Sequence, residues 1–224
     1  MARTLKRTAA AAAPRAATRD LILDEAERLI AARGVHGFTL KDIADPLGFQ
    51  VPAIYKHYKS RDDVLIALSR RFIELLSQQF KYSPESVSHP AKTLRQVVDA
   101  FARFHIEHPA YVRLSLIDFA TPQGGMEYIR LAAGGPFRSN LTTGPLAPMH
   151  RRLRTLLAAG EAAGEFRSTS ELDFYRLIKS VLLLRLVFPD DLLVSEPSPA
   201  VIRAIEETLW DAALRYIAVR VPTS

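Results

Sequence analysis

A chain of 224 residues with a formal net charge of +6 and a pI near 9.7 is long enough for a small domain plus a larger one, and its basic balance favours a polyanionic partner. It contains no cysteine, which excludes disulfides, thiolate metal sites and cysteine nucleophiles and fits a reducing cytoplasm. No apolar run approaches the roughly 18 residues that span a bilayer, and the first residues lack the apolar core and cleavage site of a secretory signal, so no membrane association is expected.

Residues 1–18 carry Arg3, Lys6, Arg7 and Arg15, with no acidic residue before Asp20. Two readings are open: a disordered tail, or a basic arm that lies along phosphates or enters the minor groove. They are compatible if the arm orders only on DNA. A helix is expected over 19–33. Ile22, Ala26, Leu29, Ile30 and Arg33 form a stripe at three- and four-residue spacing, with Asp24, Glu25, Glu27 and Arg28 mostly outside. Gly34 ends it, and Gly37 frees the turn into Phe38.

The stretch from Phe38 to Leu65 carries the most information. Thr39 suits a helix N-cap, and Asp42 three residues on adds negative charge near the helix's positive end. Leu40, Ile43, Ala44 and Leu47 follow helical spacing, and Gly48 suits the positive φ of a helix end. Pro46 sits near the last turn; an interior proline costs up to about 3 kcal/mol in a regular helix, so a tightened or 3₁₀-like end is expected. Phe49-Gln50-Val51 makes a turn, and Pro52 fits the first turn of a second helix. Ile54 and Tyr58 share its inward face. Ser60 and Asp63 open a third helix.

Two short helices joined by a tight turn make a helix-turn-helix, whose second helix enters the DNA major groove. The small residues Val51, Pro52 and Ala53 allow close approach to base edges, and Tyr55, Lys56, His57 and Lys59 reach toward phosphates. Thr39, Lys41 and Gln50 complete the candidate DNA-binding set.

The run Thr39-Leu40-x-x-Ile43-Ala44-x-x-Leu47-Gly48-Phe49-x-x-Pro52-x-Ile54-Tyr55-x-His57-Tyr58-x-Ser60-Arg61-Asp62-x-x-Leu65 resembles the DNA-binding domain of TetR-family transcriptional regulators. The resemblance covers about the first third of the chain. It implies an all-α fold: a three-helix DNA-binding domain over 19–62, then a larger helical ligand-binding and dimerisation domain over 63–224. It also implies a homodimeric repressor released from a pseudo-palindromic operator by a small ligand. Gln50 departs from the Ser or Thr usual at that position, which leaves the family's phosphate contact there open.

Beyond Asp62 a long helix to about Tyr82 leaves the DNA-binding part as a rigid lever. Helices are then expected over 91–107 and from Pro109 to Phe119; the run from Phe101 to Leu114 resembles a segment common in ligand-binding domains of the same family. Met126–Ala133 reads as a short helix. Residues 134–145 read as a plain connector or as a mobile flap over a ligand entrance. Ala147–Gly164 is helical, with Arg151, Arg152 and Arg154 forming a solvated face in preference to a second nucleic-acid site. Residues 174–188 are apolar on nearly all sides except at Arg176, Lys179 and Arg185, so they need cover on two sides, from a monomer core or from a partner subunit. The last helix, from Pro199 to Arg220, is amphipathic. In TetR-like proteins the last two long helices pair with their symmetry mates, which implies a homodimer here.

Enzyme signatures are missing: there is no Walker A loop, nucleophile elbow or His-Glu-x-x-His pair, and no cofactor motif. His105 and His108, with His150 distant, offer weak metal spacing; His105 reads better as a satisfied polar group beside an apolar cavity. A ligand pocket, if built between helices, is sought among Phe101, Phe104, His105, Met126, Phe174 and Ile178. The function expected is that of a sequence-specific transcriptional regulator with no catalytic activity, binding double-stranded DNA and a largely apolar effector. The alternatives are a helical carrier or enzyme with an incidental helix-turn-helix, and an activator without ligand control.

Overall fold

The structure, a computed structural model, describes residues 15–80, 82, 87–119, 127–132, 143–187 and 197–219. All regular structure among these residues is helical: α1 (Arg15–Arg33), α2 (Leu40–Leu47), α3 (Val51–Tyr55), α4 (Arg61–Gln79), α5 (Pro90–Glu107), α6 (Pro109–Phe119), α7 (Glu127–Ala132), α8 (Ala147–Ala162), α9 (Glu171–Val187) and α10 (Pro199–Ile217). The chain is all-α, as its sequence leads one to expect. Within it lie two compact units, Met1–Phe72 with Arg113–Ala132, and Ile73–Val112 with Ala133–Ser224.

In the first unit α1 starts at Arg15 and so takes in the end of the expected basic arm. Ala16 and Ala17 are strong helix formers and extend the helix toward the N-terminus. The rest of the arm, residues 1–14, lies outside the described residues. Ile22, Ala26, Leu29 and Ile30 are buried, whereas Arg33, grouped with them by spacing, is exposed. Its guanidinium stays in water at the end of the helix and donates to Asp42 at 3.1 Å.

The start of α2 is a full capping box. Asp42 N–H donates to Thr39 Oγ1 at 3.4 Å, while the Asp42 carboxylate accepts from Thr39 N at 2.8 Å and from the Thr39 hydroxyl at 2.6 Å. These bonds hold the Asp42 carboxyl below the usual carboxylate range, the Thr39 hydroxyl contributing most. The end of α2 explains how Pro46 is tolerated. Gly48 adopts φ 69°, its N–H donates to Asp45 O at 3.1 Å, and Phe49 N–H donates to Ala44 O at 2.9 Å. This pair of bonds is a Schellman closure, which tightens the last turn and satisfies two terminal carbonyls. Ser60 caps α4 by accepting from Asp63 N–H at 3.0 Å, and the Asp63 carboxylate reaches back to Lys59 N at 2.9 Å.

Behind α2 and α3, α1 and the first part of α4 close the core with Ile43, Ala44, Ile54, Leu65 and Leu68, all without exposure. Arg71 of α4 donates to both Asp24 and Glu27 of α1, each at 2.6 Å. Helix α7 is tied to α4 within the same unit: Arg70 Nε donates to Ala132 O at 3.1 Å, and Tyr128 Oη donates to Asp62 Oδ1 at 3.2 Å.

In the second unit α10 packs chiefly on α5 and α9, and α8 packs on α5 and α9. Arg95 of α5 bridges its own Asp99 at 2.8 Å and Glu207 of α10 at 2.7 Å, and lies over the Trp210 ring. Gly160 of α8 lets the Phe166 ring come against the helix backbone so closely that a Cβ there would overlap it. The C-terminal carbonyls of α10 are taken up by the loop after α8: Arg167 N–H donates to Ile217 O at 2.8 Å, and the Arg167 guanidinium bonds Tyr216 O. Residues 134–142 of the segment read as connector or flap lie outside the described residues; Thr143 to Leu146 form turns.

Candidate nucleic-acid interface and ligand pocket

Helix α3 is anchored from beneath by Ile54 and Tyr58, at 0% and 4% exposure. That anchoring decides which side chains face out. Thr39, Lys41, Gln50, Pro52, Tyr55, Lys56 and Lys59 are exposed, and Val51, Ala53 and His57 are half-buried. None of the candidate residues is buried in the helix-turn-helix, which carries small side chains at the start of α3 and lysines past its end. Thr39 spends its hydroxyl on the capping box, and Gln50 is the N-cap residue of α3 without a side-chain capping bond.

His57 differs from its neighbours. Its Nδ1 is closed off from solvent without a partner, and burial, followed by the charges of Arg15, Arg19 and Lys56, lowers its pKa. The positive field at this site thus includes two arginines of α1. The guanidinium of Arg19 lies 4.8 Å from the centre of the Tyr58 ring. Arg15 and Arg19 were separable from the tail by their four-residue spacing, which puts them on one face of α1.

The pocket candidates lie in the second unit. Phe101, Phe174 and Ile178 line a small, wholly apolar-walled cavity of about 20 Å³, together with Phe80, Leu153 and Tyr175. Phe104 and His105 are buried in an aromatic cluster beside it, their rings 5.5 Å apart and both within 6 Å of Tyr111. Met126 lies outside the described residues. A larger open cleft of about 310 Å³ runs between α5 and α10, but its buried carboxylate, Glu206, is already paired with Arg103 at 2.5 Å.

His105 is satisfied on both nitrogens. Its Nδ1–H donates to Phe101 O at 2.8 Å, which leaves Nε2 to accept from Lys179 Nζ at 2.9 Å. Neither nitrogen is left for a metal, and among the described residues no group of three or more potential ligands of the His, Asp and Glu type comes together. Lys179 is 5% exposed, with its ammonium 4.5 Å from the centre of the Tyr111 ring. Burial pulls its pKa from the ordinary 10.5 down to about 7, and burial, then the Lys179 charge, keep His105 well below 6.5. Sequence reading grouped Lys179 with the polar exceptions on α9. The overlooked signal is its spacing: it falls four after Tyr175 and three before Leu182, on the buried face.

The family model for bacterial regulatory proteins of the tetR family matches residues 22–68, the span from α1 through the helix-turn-helix into α4. A bacterial regulatory protein of the tetR family from Rhodococcus RHA1 superposes with a TM-score of 0.66 over 93% of this chain and all of that one, at 19% identity. Residues 22–68 thus match the tetR family of bacterial regulatory proteins. Among curated TetR-type relatives, the HTH-type transcriptional activator FasR of Mycolicibacterium smegmatis is 30% identical over 95 residues, 42% of this chain and 43% of that protein. The HTH-type transcriptional repressor KstR2 of Mycobacterium tuberculosis is 29% identical over 74 residues, 33% of this chain and 37% of that protein. The chain thus matches less than half the length of the curated relatives. KstR2 is also similar in structure, with a TM-score of 0.62 over 91% of this chain and 96% of that one at 19% identity, a likeness of fold. No helix among the described residues is long and apolar enough to cross a membrane.

Proposed function

We propose that the chain is a DNA-binding transcriptional regulator that acts as a homodimer and gives up its operator when a small ligand binds the second unit. The observation that carries this reading is the helix-turn-helix anchored on Ile54 and Tyr58, which turns Pro52, Tyr55, Lys56 and Lys59 outward together. Two such helices in a dimer call for a pseudo-palindromic operator. Support for the dimer comes from α9 and α10, which leave Leu184 60% and Leu214 38% exposed in the single chain. A ligand that binds the DNA-free form tenfold better lowers operator affinity by about 1.4 kcal/mol. Repression by an operator-bound dimer is the reading adopted; activation is the second, favoured by the likeness to FasR, which is named an activator.

Gel-shift titration against the DNA upstream of the chain's own gene, repeated across salt concentrations, tests the proposal. Binding should be saturable and should weaken steeply with salt. Lys56→Ala should weaken binding to all sequences and reduce the salt slope by about one, while Ala53 substitutions should change the preferred sequence. Absence of saturable, salt-sensitive binding would favour a helical carrier or enzyme instead.

A further inference from the structure

The second unit buries more polar groups around its cavity than it can partner. Lys179 is the sharpest case. An ammonium offers three donors; one goes to His105 Nε2 at 2.9 Å, and the Tyr111 ring faces the group at 4.5 Å. No carboxylate offsets its burial. Acidic side chains of this unit are engaged elsewhere: Asp173 with Arg176 at 3.3 Å, Glu171 with Arg154 at 2.6 Å, Glu206 with Arg103 at 2.5 Å, and Asp99 and Glu207 with Arg95. A buried charge without a counter-charge is among the costliest features a core can hold, which asks for an explanation.

Two further groups point the same way. The hydroxyl of Tyr175, a residue that lines the cavity, is buried without a hydrogen-bond partner, and both ring nitrogens of His150, 5.0 Å away ring to ring, are likewise unpartnered. Phe101 stands between these groups and the lysine. It lines the cavity, its ring centre lies 4.4 Å from that of His105 and 6.0 Å from Lys179 Nζ, and its edge meets Tyr175 at 5.9 Å. The cavity itself, at about 20 Å³, has room for one water, so anything larger enters only as Phe101 and its neighbours give way.

We propose that this site binds an organic monocarboxylic acid with an apolar body, its carboxylate seated on the Lys179 ammonium and its body among Phe101, Phe174 and Ile178. The proposal rests on the reading of the second unit as ligand-binding and names the ligand's chemical class. One buried cation matches one negative charge; a phosphate dianion would need further donors of positive charge, and an alcohol or amide would leave the ammonium uncompensated. His105, held neutral and donating to Phe101 O, keeps the lysine in place without competing for the anion. A carboxylate that settles against Lys179 also favours its protonated form, so binding above neutrality takes up a proton from solvent.

The test is calorimetric and thermal-shift titration of the full chain with benzoate, phenylacetate, octanoate and laurate, each beside its primary amide. At least one acid should bind with its amide on the order of tenfold weaker or worse, and Lys179→Met should remove that preference. At pH 8, titration in buffers of differing ionisation enthalpy should show proton uptake close to one per acid bound. This second readout uses the unaltered protein and stands whether or not the variant folds. Equal binding of acids and amides across the panel, binding without proton uptake, or undiminished acid binding by the variant would overturn the proposal. Adding operator DNA separates the two readings. Acid binding that leaves the operator complex intact would overturn ligand control of DNA binding and leave the site standing; loss of acid selectivity with operator binding intact would do the reverse.

Discussion

Lys179 makes the stability of the second unit depend on pH in a direction that can be worked out. Its pKa falls from 10.5 to about 7 on folding, so between those values the unfolded chain holds a proton that the folded chain has released. Stability therefore rises with pH from about 7 toward 10.5 and is lost as pH falls through the folded value. The neighbouring groups do not reverse this: His105 stays neutral throughout the window, and His150, lowered to about 4 chiefly by burial, does too. In the absence of ligand, Lys179→Met should flatten the rise and increase the melting temperature near neutral pH, measured by calorimetry from pH 7 to 10. Such a lysine was hidden in the sequence because residue type argued for the surface while spacing argued for the core. His105 was easier to read, since Phe101 four residues earlier supplies both a carbonyl and a ring.

At the level of elements, the helix ends were the most legible part of the chain. Thr39, Asp42, Gly48 and Ser60 are residue types whose capping roles depend only on neighbours within a few positions, so they read correctly without tertiary information. Thr39→Ala should cost about 1 kcal/mol of unfolding free energy in denaturant titration, because it removes the acceptor for Asp42 N–H and frees the carboxylate that caps Thr39 N. Arg33 was misplaced for the opposite reason: periodicity assigns a face, but the exposure of a terminal arginine depends on what α2 offers it, here Asp42. Likewise the convergence of Arg15 and Arg19 on His57 depends on how α1 crosses behind α3, which no local pattern encodes.

For the molecule as a whole, the helical class and the helix-turn-helix near the start of the chain were readable before any contact was. A short motif of fixed spacing identified the helix-turn-helix, whereas the pocket candidates Phe101, Phe174 and Ile178 came from aromatic and apolar spacing that core and pocket share. The apolar faces of α9 were equally ambiguous between core and interface. The exposure of Leu184 fits the interface reading and gives a direct test of assembly. Leu184→Glu should shift the protein from dimer to monomer in sedimentation velocity, with little change in helical content, and should weaken operator binding through lost bivalency.

Gly160 and Phe166 carry a consequence for descent. The ring occupies the space where a Cβ at position 160 would stand, and the turn between them, with Gly164 at φ 72°, holds it there. Neither residue changes alone without cost: alanine at 160 collides with the ring, and a small residue at 166, where Phe166 is 3% exposed, leaves a void against the helix. Lineages that have replaced this glycine should carry a smaller side chain six residues on, so the two positions should drift as a linked pair.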